Sequence, residues 1–217
     1  MTTTDLLITR YRYWPILVML GASVVWAMLG PQTGWPRPIN VALEAGTLLL
    51  ALTRSGRSAR LQWLAAAVGV LMVAISLGSI AVGGPGGLAA LAEAALAVTA
   101  AVAIFAGLAR QLTMTLHSIM GALCVYLLVG MFYANLDQAV AALSQGPYFT
   151  SIAAATRSHF TYFSFVTLTT TGYGDLTPAT PLGRLLAIVE ALMGQLYLVS
   201  VVALVVGNVA RTQPERT

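Results

Sequence analysis

The residues best suited to chemistry lie between Phe160 and Asp175, in FTYFSFVTLTTTGYGD. Gly172 and Gly174 alternate with Thr171 and Tyr173 there, directly after Thr170. Glycine enters the left-handed backbone region without the penalty a Cβ brings, so such spacing lets the chain alternate in hand and turn successive carbonyls toward one axis. Stacked carbonyl oxygens replace the hydration shell of a large, weakly hydrated cation such as potassium without adding a fixed charge. Thr170 adds a hydroxyl oxygen below the lowest carbonyls, Tyr173 points away from the axis, and Asp175 brings negative potential to the outer mouth. The bland alternative is a turn between two membrane helices, for which Gly, Asp and Thr are ordinary residues. Context weighs against it: the block follows an aromatic run, Phe160 to Leu168, too short to cross a bilayer, and precedes a full-length apolar segment.

The run Thr170-Thr171-Gly172-Tyr173-Gly174-Asp175 resembles the pore signature of the potassium channel family, departing from it at Thr171, where most members carry Val or Ile. That side chain is expected to face away from the ion path and leave the carbonyl geometry intact. The resemblance covers roughly the last hundred residues and implies an outer helix, a re-entrant pore helix, a filter and an inner helix. It implies K+ as the permeant ion, held by Thr170, Thr171, Gly172, Tyr173 and Gly174, with Asp175 at the outer mouth. It also implies a homotetramer, because one filter strand cannot surround an ion. Val166 stands where some small bacterial members carry a glutamate that bonds the residue matching Asp175. Tyr162 and Phe163 stand in place of a tryptophan pair, so the packing around Tyr173 and the inactivation of the filter are expected to differ. Gly194 falls where the family commonly has a glycine hinge.

Composition agrees with a membrane setting. Hydrophobic residues make up 58% of the chain and charged ones 8%, far from the balance of a soluble domain. The formal charge of +4 comes from arginine alone, mostly between apolar runs. Such a distribution reports orientation in a bilayer and not nucleic-acid binding. Cys124, the lone cysteine, lies in an apolar run and reads as packing.

Along the chain, apolar runs follow at about Trp14 to Leu29, Ile39 to Leu52, Leu61 to Val82 and Leu88 to Leu108. The first is read as a retained span and not a signal peptide, since no small-x-small cleavage site follows it. Trp35, Pro36 and Pro38 form an extended connector, and Gly83-Gly84-Pro85-Gly86-Gly87 a tight outer turn. Arg54, Arg57 and Arg60 share the spacing of voltage-sensing helices, but Ser55, Gly56 and Ser58 intervene, so a cytoplasmic positive loop is favoured. The fourth run has no arginine inside it, which speaks against voltage gating by that device.

The expected fold is an all-α membrane protein of six transmembrane helices. A four-helix domain over 1–112 leads into a pore domain over 113–217. The pore domain is divided into an outer helix at 118–136, a turret at 137–159, a re-entrant pore helix at 160–169, a filter at 170–174 and an inner helix at 182–209. With both termini cytoplasmic, Arg10, Arg12, Arg54, Arg57, Arg60, Arg110, Arg211 and Arg216 lie inside, against Arg37, Arg157 and Arg184 outside. The same orientation sets Tyr173, Gly174 and Asp175 at the external mouth.

Several residues have two readings. Gly194 is either a hinge or a site of close helix packing. Glu190, one turn earlier, is either a satisfied structural hydrogen bond or a gating group that changes protonation. Glu44 and Glu93, each about a turn from the outer end of a helix, bond to each other, to Arg37 or to a ligand, a structural pair being preferred. His117 reads as an interfacial histidine, with pH sensing as the alternative.

No paired-carboxylate motif, Ser/His/Asp set or phosphate-cradling loop points to an enzyme. The expected function is passive K+ conduction across a prokaryotic-type plasma membrane, with K+ ions, lipid and other copies of the chain as partners and no nucleic acid. Two other classes remain open: a subunit of an energised potassium uptake system, and a non-conducting membrane sensor or adaptor built on the leading helices.

Overall fold

A computed structural model describes residues 13–31, 36–54, 63, 67–72, 74–75, 78, 87–108 and 116–212. Six helices are defined: α1 (Trp14–Leu29), α2 (Pro36–Arg54), α3 (Gly87–Leu108), α4 (Leu116–Leu143), α5 (Arg157–Leu168) and α6 (Pro181–Thr212). The protein is an all-α membrane protein, with no strand among the described residues. Of the third apolar run, the described residues 63, 67–72, 74–75 and 78 are helical. Trp35, the loop with Arg57 and Arg60, the turn at 83–86, Arg110 and both ends of the chain, with Arg10, Arg12 and Arg216, lie outside the described residues. So do the side chains of Arg37, Arg54, His117 and Arg211.

Each helix follows from its sequence. In α1 a proline in the first turn costs nothing, since its missing N–H would be unpaired there anyway. Its buried side chains, Ile16, Leu20, Ser23 and Ala27, recur at helical spacing on one face. The inward face of α2 is mixed, burying Asn40, Glu44 and Thr47 beside Val41, Leu48 and Leu52. In α3 the buried Ala90, Ala94, Ala97 and Ala100 make a smooth face, and small residues let helix backbones approach closely in a membrane. This face packs on α4 more extensively than any other helix pair. Within the described residues, Gly87–Ala106, Ser118–Leu143 and Pro181–Val201 are long and apolar enough to cross a bilayer.

The leading helices pack on the pore elements of their own chain. α1 touches α2, α4 and α5, and α2 touches α3. A shared core of Leu20, Val41, Leu48, Leu96, Ile104, Leu128 and Met131 joins α1 to α4. α4 also packs on α5 and α6, which pack on each other.

The boundaries of the pore elements differ from those expected. The outer helix runs on past Leu136 to Leu143, carrying Asp137 inside it. That buried carboxylate is tolerated because the Tyr148 hydroxyl donates to its Oδ1 at 2.7 Å. The pore helix begins at Arg157, within the expected turret. Thr156 caps it, and the Nδ1 of His159 accepts from the Thr156 backbone N–H at 3.0 Å, doing the work of the glutamate in a capping box. The inner helix covers Pro181–Thr212. The segment between α4 and α5 is pinned to the stretch that follows the filter. Thr150 N–H donates to Thr177 O at 2.9 Å and Ala179 N–H to Tyr148 O at 2.8 Å, above an aromatic cluster of Tyr148, Phe149, Phe160 and Phe163.

Burial, and after it the neighbouring Asp137 carboxylate, pushes the Tyr148 phenol above its ordinary range, so it remains a donor. Tyr148→Phe removes the one hydrogen bond that Asp137 receives, leaving a buried carboxyl unpaired at a cost of about 1–3 kcal/mol. A clearly lower thermal midpoint of the purified protein is the expected result. An unchanged midpoint would show that the bond contributes nothing.

Candidate ion-conduction site

Three residues in the described chain have positive φ outside any helix: Thr170 at 56°, Gly172 at 54° and Gly174 at 80°. They alternate with Thr171 and Tyr173, so the backbone changes hand at every step from 170 to 174. In an extended strand successive carbonyls point to opposite sides, whereas alternation of hand turns them to the same side. The glycines at 172 and 174 were legible as left-handed positions. Thr170 was not, since a threonine there costs about 1–2 kcal/mol that surrounding contacts must offset.

Those contacts come from the pore helix. Thr170 N–H donates to Thr167 O at 2.9 Å and Thr171 N–H to Val166 O at 2.9 Å. Thr169 Oγ1 donates to Phe165 O at 2.7 Å and lies 2.9 Å from Thr171 Oγ1. The Thr171 hydroxyl, at the position where the chain departs from the family pattern, is thus part of the tie between filter and helix. Because α5 ends at Leu168, the negative end of its dipole lies at the base of this strand.

Higher up, the Tyr173 ring lies parallel to that of Tyr162 on α5, with centroids 6.4 Å apart and planes at 4°. The Tyr162 hydroxyl lies close enough to the Asp175 carboxylate to feel its charge, and Ser151 Oγ donates to Asp175 O at 2.8 Å. Val166 has no polar side-chain atom to hold Asp175, and the tie to that residue comes from Ser151. Phe163 belongs to the aromatic cluster under the turret. Residues 169–175 are all exposed in the single chain.

Behind the strand, the inner helix meets the pore helix at two points. Gly194 lies directly against Leu168, whose carbonyl a Cβ at 194 would strike. That same carbonyl accepts from the Tyr126 hydroxyl at 3.1 Å. Glu190 is fully buried and its Oε1 is 2.5 Å from Ser164 Oγ, which also lies 2.7 Å from Gly130 O. Glu190 therefore joins α4, α5 and α6 at one place.

The acids of the leading helices meet at the other end of α5. Glu93 Oε2 accepts from Arg157 Nη2 at 2.6 Å, and Glu44 lies close enough to feel both charges. Arg157, counted above among the arginines of the outer side, is largely buried as the partner of Glu93. Its position as the first residue of a helix, between acids placed inside spans, was the available signal.

An extended strand of alternating hand, seated on a half-helix between two spans, defines an ion-channel pore domain. Residues 121–211 match the family model described as "Ion channel". Over 45 residues the chain is 53% identical to "Probable potassium channel protein 2" of Methanocaldococcus jannaschii, a match covering 19% of this chain and 13% of that protein. The chain thus spans a small part of that relative's length, and its region 121–211 is similar to ion channels. No solved structure matches the chain.

Proposed function

We propose that the protein is a passive, potassium-selective channel of the cell membrane, with a pore made by four copies of this chain and both termini cytoplasmic. The observation that carries this reading is the alternation of left-handed φ at Thr170, Gly172 and Gly174. Four such strands around an axis would offer rings of carbonyl oxygens from Thr170 to Gly174, with the Thr170 hydroxyls beneath and Asp175 at the mouth.

The need for further copies is supported by what one chain leaves uncovered. The filter residues are exposed, and so are Ile188, Leu196 and Val199 on α6, at 59%, 67% and 64%. α3 and α4 bury far more of their surface within the chain. An inner helix with so little cover is suited to line a cavity and pack on neighbouring copies.

Purified protein in liposomes, under opposed K+ and Na+ gradients, should give a reversal potential near that of K+. Equal permeability to the two ions would overturn the proposal. Gly172→Ala should cut K+ flux at least about tenfold while assembly persists. A Cβ there meets no atom within 4 Å in its own chain, so the loss comes from forcing alanine to hold a left-handed φ, about 1–2 kcal/mol in each copy. Size-exclusion chromatography checks assembly and a flux assay checks conduction.

A further inference from the structure

Arg157 is an unusual residue to find first in the pore helix. A cation at a helix N-terminus opposes the macrodipole, and acids are the residues that suit the position. Here the acids come from elsewhere in the chain. Glu93 on α3 holds Nη2 at 2.6 Å. Asn40 on α2, with its carboxamide oxygen toward Arg157, accepts from Nε at 3.0 Å and Nη2 at 3.1 Å, and its nitrogen donates to Ser23 O on α1 at 3.3 Å. Asn135 on α4 contributes Oδ1 at 3.5 Å. Glu44 on α2 lies within the field of Arg157 and Glu93 and beside Asn135. One guanidinium therefore gathers α1, α2, α3 and α4 onto the start of α5.

Burying this much charge is a poor way to gain stability, since an apolar cluster of equal volume commonly does as well. What a guanidinium adds is geometry: a planar fork whose donors accept partners only in fixed directions. The twelve residues of α5 span about 18 Å from Arg157 to Leu168, at about 1.5 Å per residue. A half-helix this short transmits a displacement at one end to the strand seated on the other.

We propose that Arg157 is a positioning residue for the filter, the point through which the leading helices set the pore helix and thereby the selectivity and open time of the channel. The proposal rests on the channel reading above. It gives the leading helices a role that needs no voltage-sensing arginine.

The test uses the full chain in planar bilayers, with wild type, Arg157→Gln, Arg157→Lys, Glu93→Gln and the exchange Glu93→Arg with Arg157→Glu. Arg157→Gln should lower the K+ to Na+ permeability ratio at least tenfold or shorten single-channel openings at least tenfold. Lysine should restore part of the loss, Glu93→Gln should shift both quantities in the same direction by a smaller factor, and the exchange should recover more than either of its single changes. A residue with a merely structural role would lower the thermal midpoint and leave the permeability ratio and open time of surviving channels unchanged. Unchanged values in Arg157→Gln overturn the proposal. Should that variant not assemble, unchanged values in Glu93→Gln, where Asn40 and Asn135 still hold the guanidinium, overturn it equally. A wild-type protein that passes no K+ refutes the channel reading itself, which separates the two failures.

Discussion

Gly194→Ala is expected to abolish most potassium current and lower the K+ to Na+ permeability ratio, without preventing assembly. A Cβ at this position would strike the Leu168 carbonyl oxygen and come within 2.9 Å of Leu168 Cδ1 and 3.0 Å of Leu168 C. Backbone atoms cannot swing aside as a side-chain tip can. Leu168 O is also held from the other side by the Tyr126 hydroxyl. Overpacking of this kind costs about 1–3 kcal/mol, and the displaced residue is the last of the pore helix, next to Thr169 and Thr170. Against this, alanine would favour α6 itself by about 1 kcal/mol.

The two readings of Gly194 part at this point. A hinge would make alanine reduce the frequency of opening while each open channel kept its selectivity. Close packing makes alanine disturb the filter base and change selectivity. The continuous helix through Gly194 and the contact with Leu168 favour packing. Single-channel recordings under mixed K+ and Na+ decide between them, and fewer openings at full selectivity would reinstate the hinge.

Glu190→Gln is expected to conduct within about twofold of wild type, whereas Glu190→Ala should lose about 3 kcal/mol of stability and most of the current. Ser164 Oγ lies 2.7 Å from Gly130 O and 2.5 Å from Glu190 Oε1. A serine hydroxyl has one proton, and a carbonyl has none to give. Both contacts are satisfied when Ser164 donates to Gly130 and Glu190, as a carboxylic acid, donates to Ser164. A glutamine N–H reproduces that second bond, and alanine leaves a void where the carboxyl stood. If the Glu190 side chain lent nothing to this junction, alanine would be tolerated as well as glutamine. That outcome, read in bilayer currents and thermal unfolding, would sink the assignment.

Such a proton on Glu190 bears on how the channel opens. Leu168 and Ser164 lie on the same short helix, and Gly194 and Glu190 one turn apart on another. A change in the contacts of either residue of α6 is felt at the base of the filter. We propose these two residues as the place where gating acts on the pore. For Glu190, the contacts with Ser164 favour the structural hydrogen bond.

Local chemistry made part of this legible without coordinates. Apolar runs mark helices because an unpaired backbone group is intolerable in lipid, and alternate glycines mark a strand of alternating hand because only they take left-handed φ at no steric cost. The limits of α4 and α5 were less legible. They depend on whether a polar residue finds a partner, as Asp137 does in Tyr148 and Thr156 does in His159.

By itself, then, the order of residues determined an all-α membrane protein and a carbonyl-bearing strand between Thr170 and Gly174, because both follow from what each short segment can do alone. Tertiary structure decided the rest. The partner of Arg157 lies 64 positions away and that of Ser164 lies 26 away, and Thr170 holds positive φ only because α5 supplies its hydrogen bonds. A buried charge or a glycine announces that something must lie against it, but which group does so is set by helix packing between residues far apart in the chain.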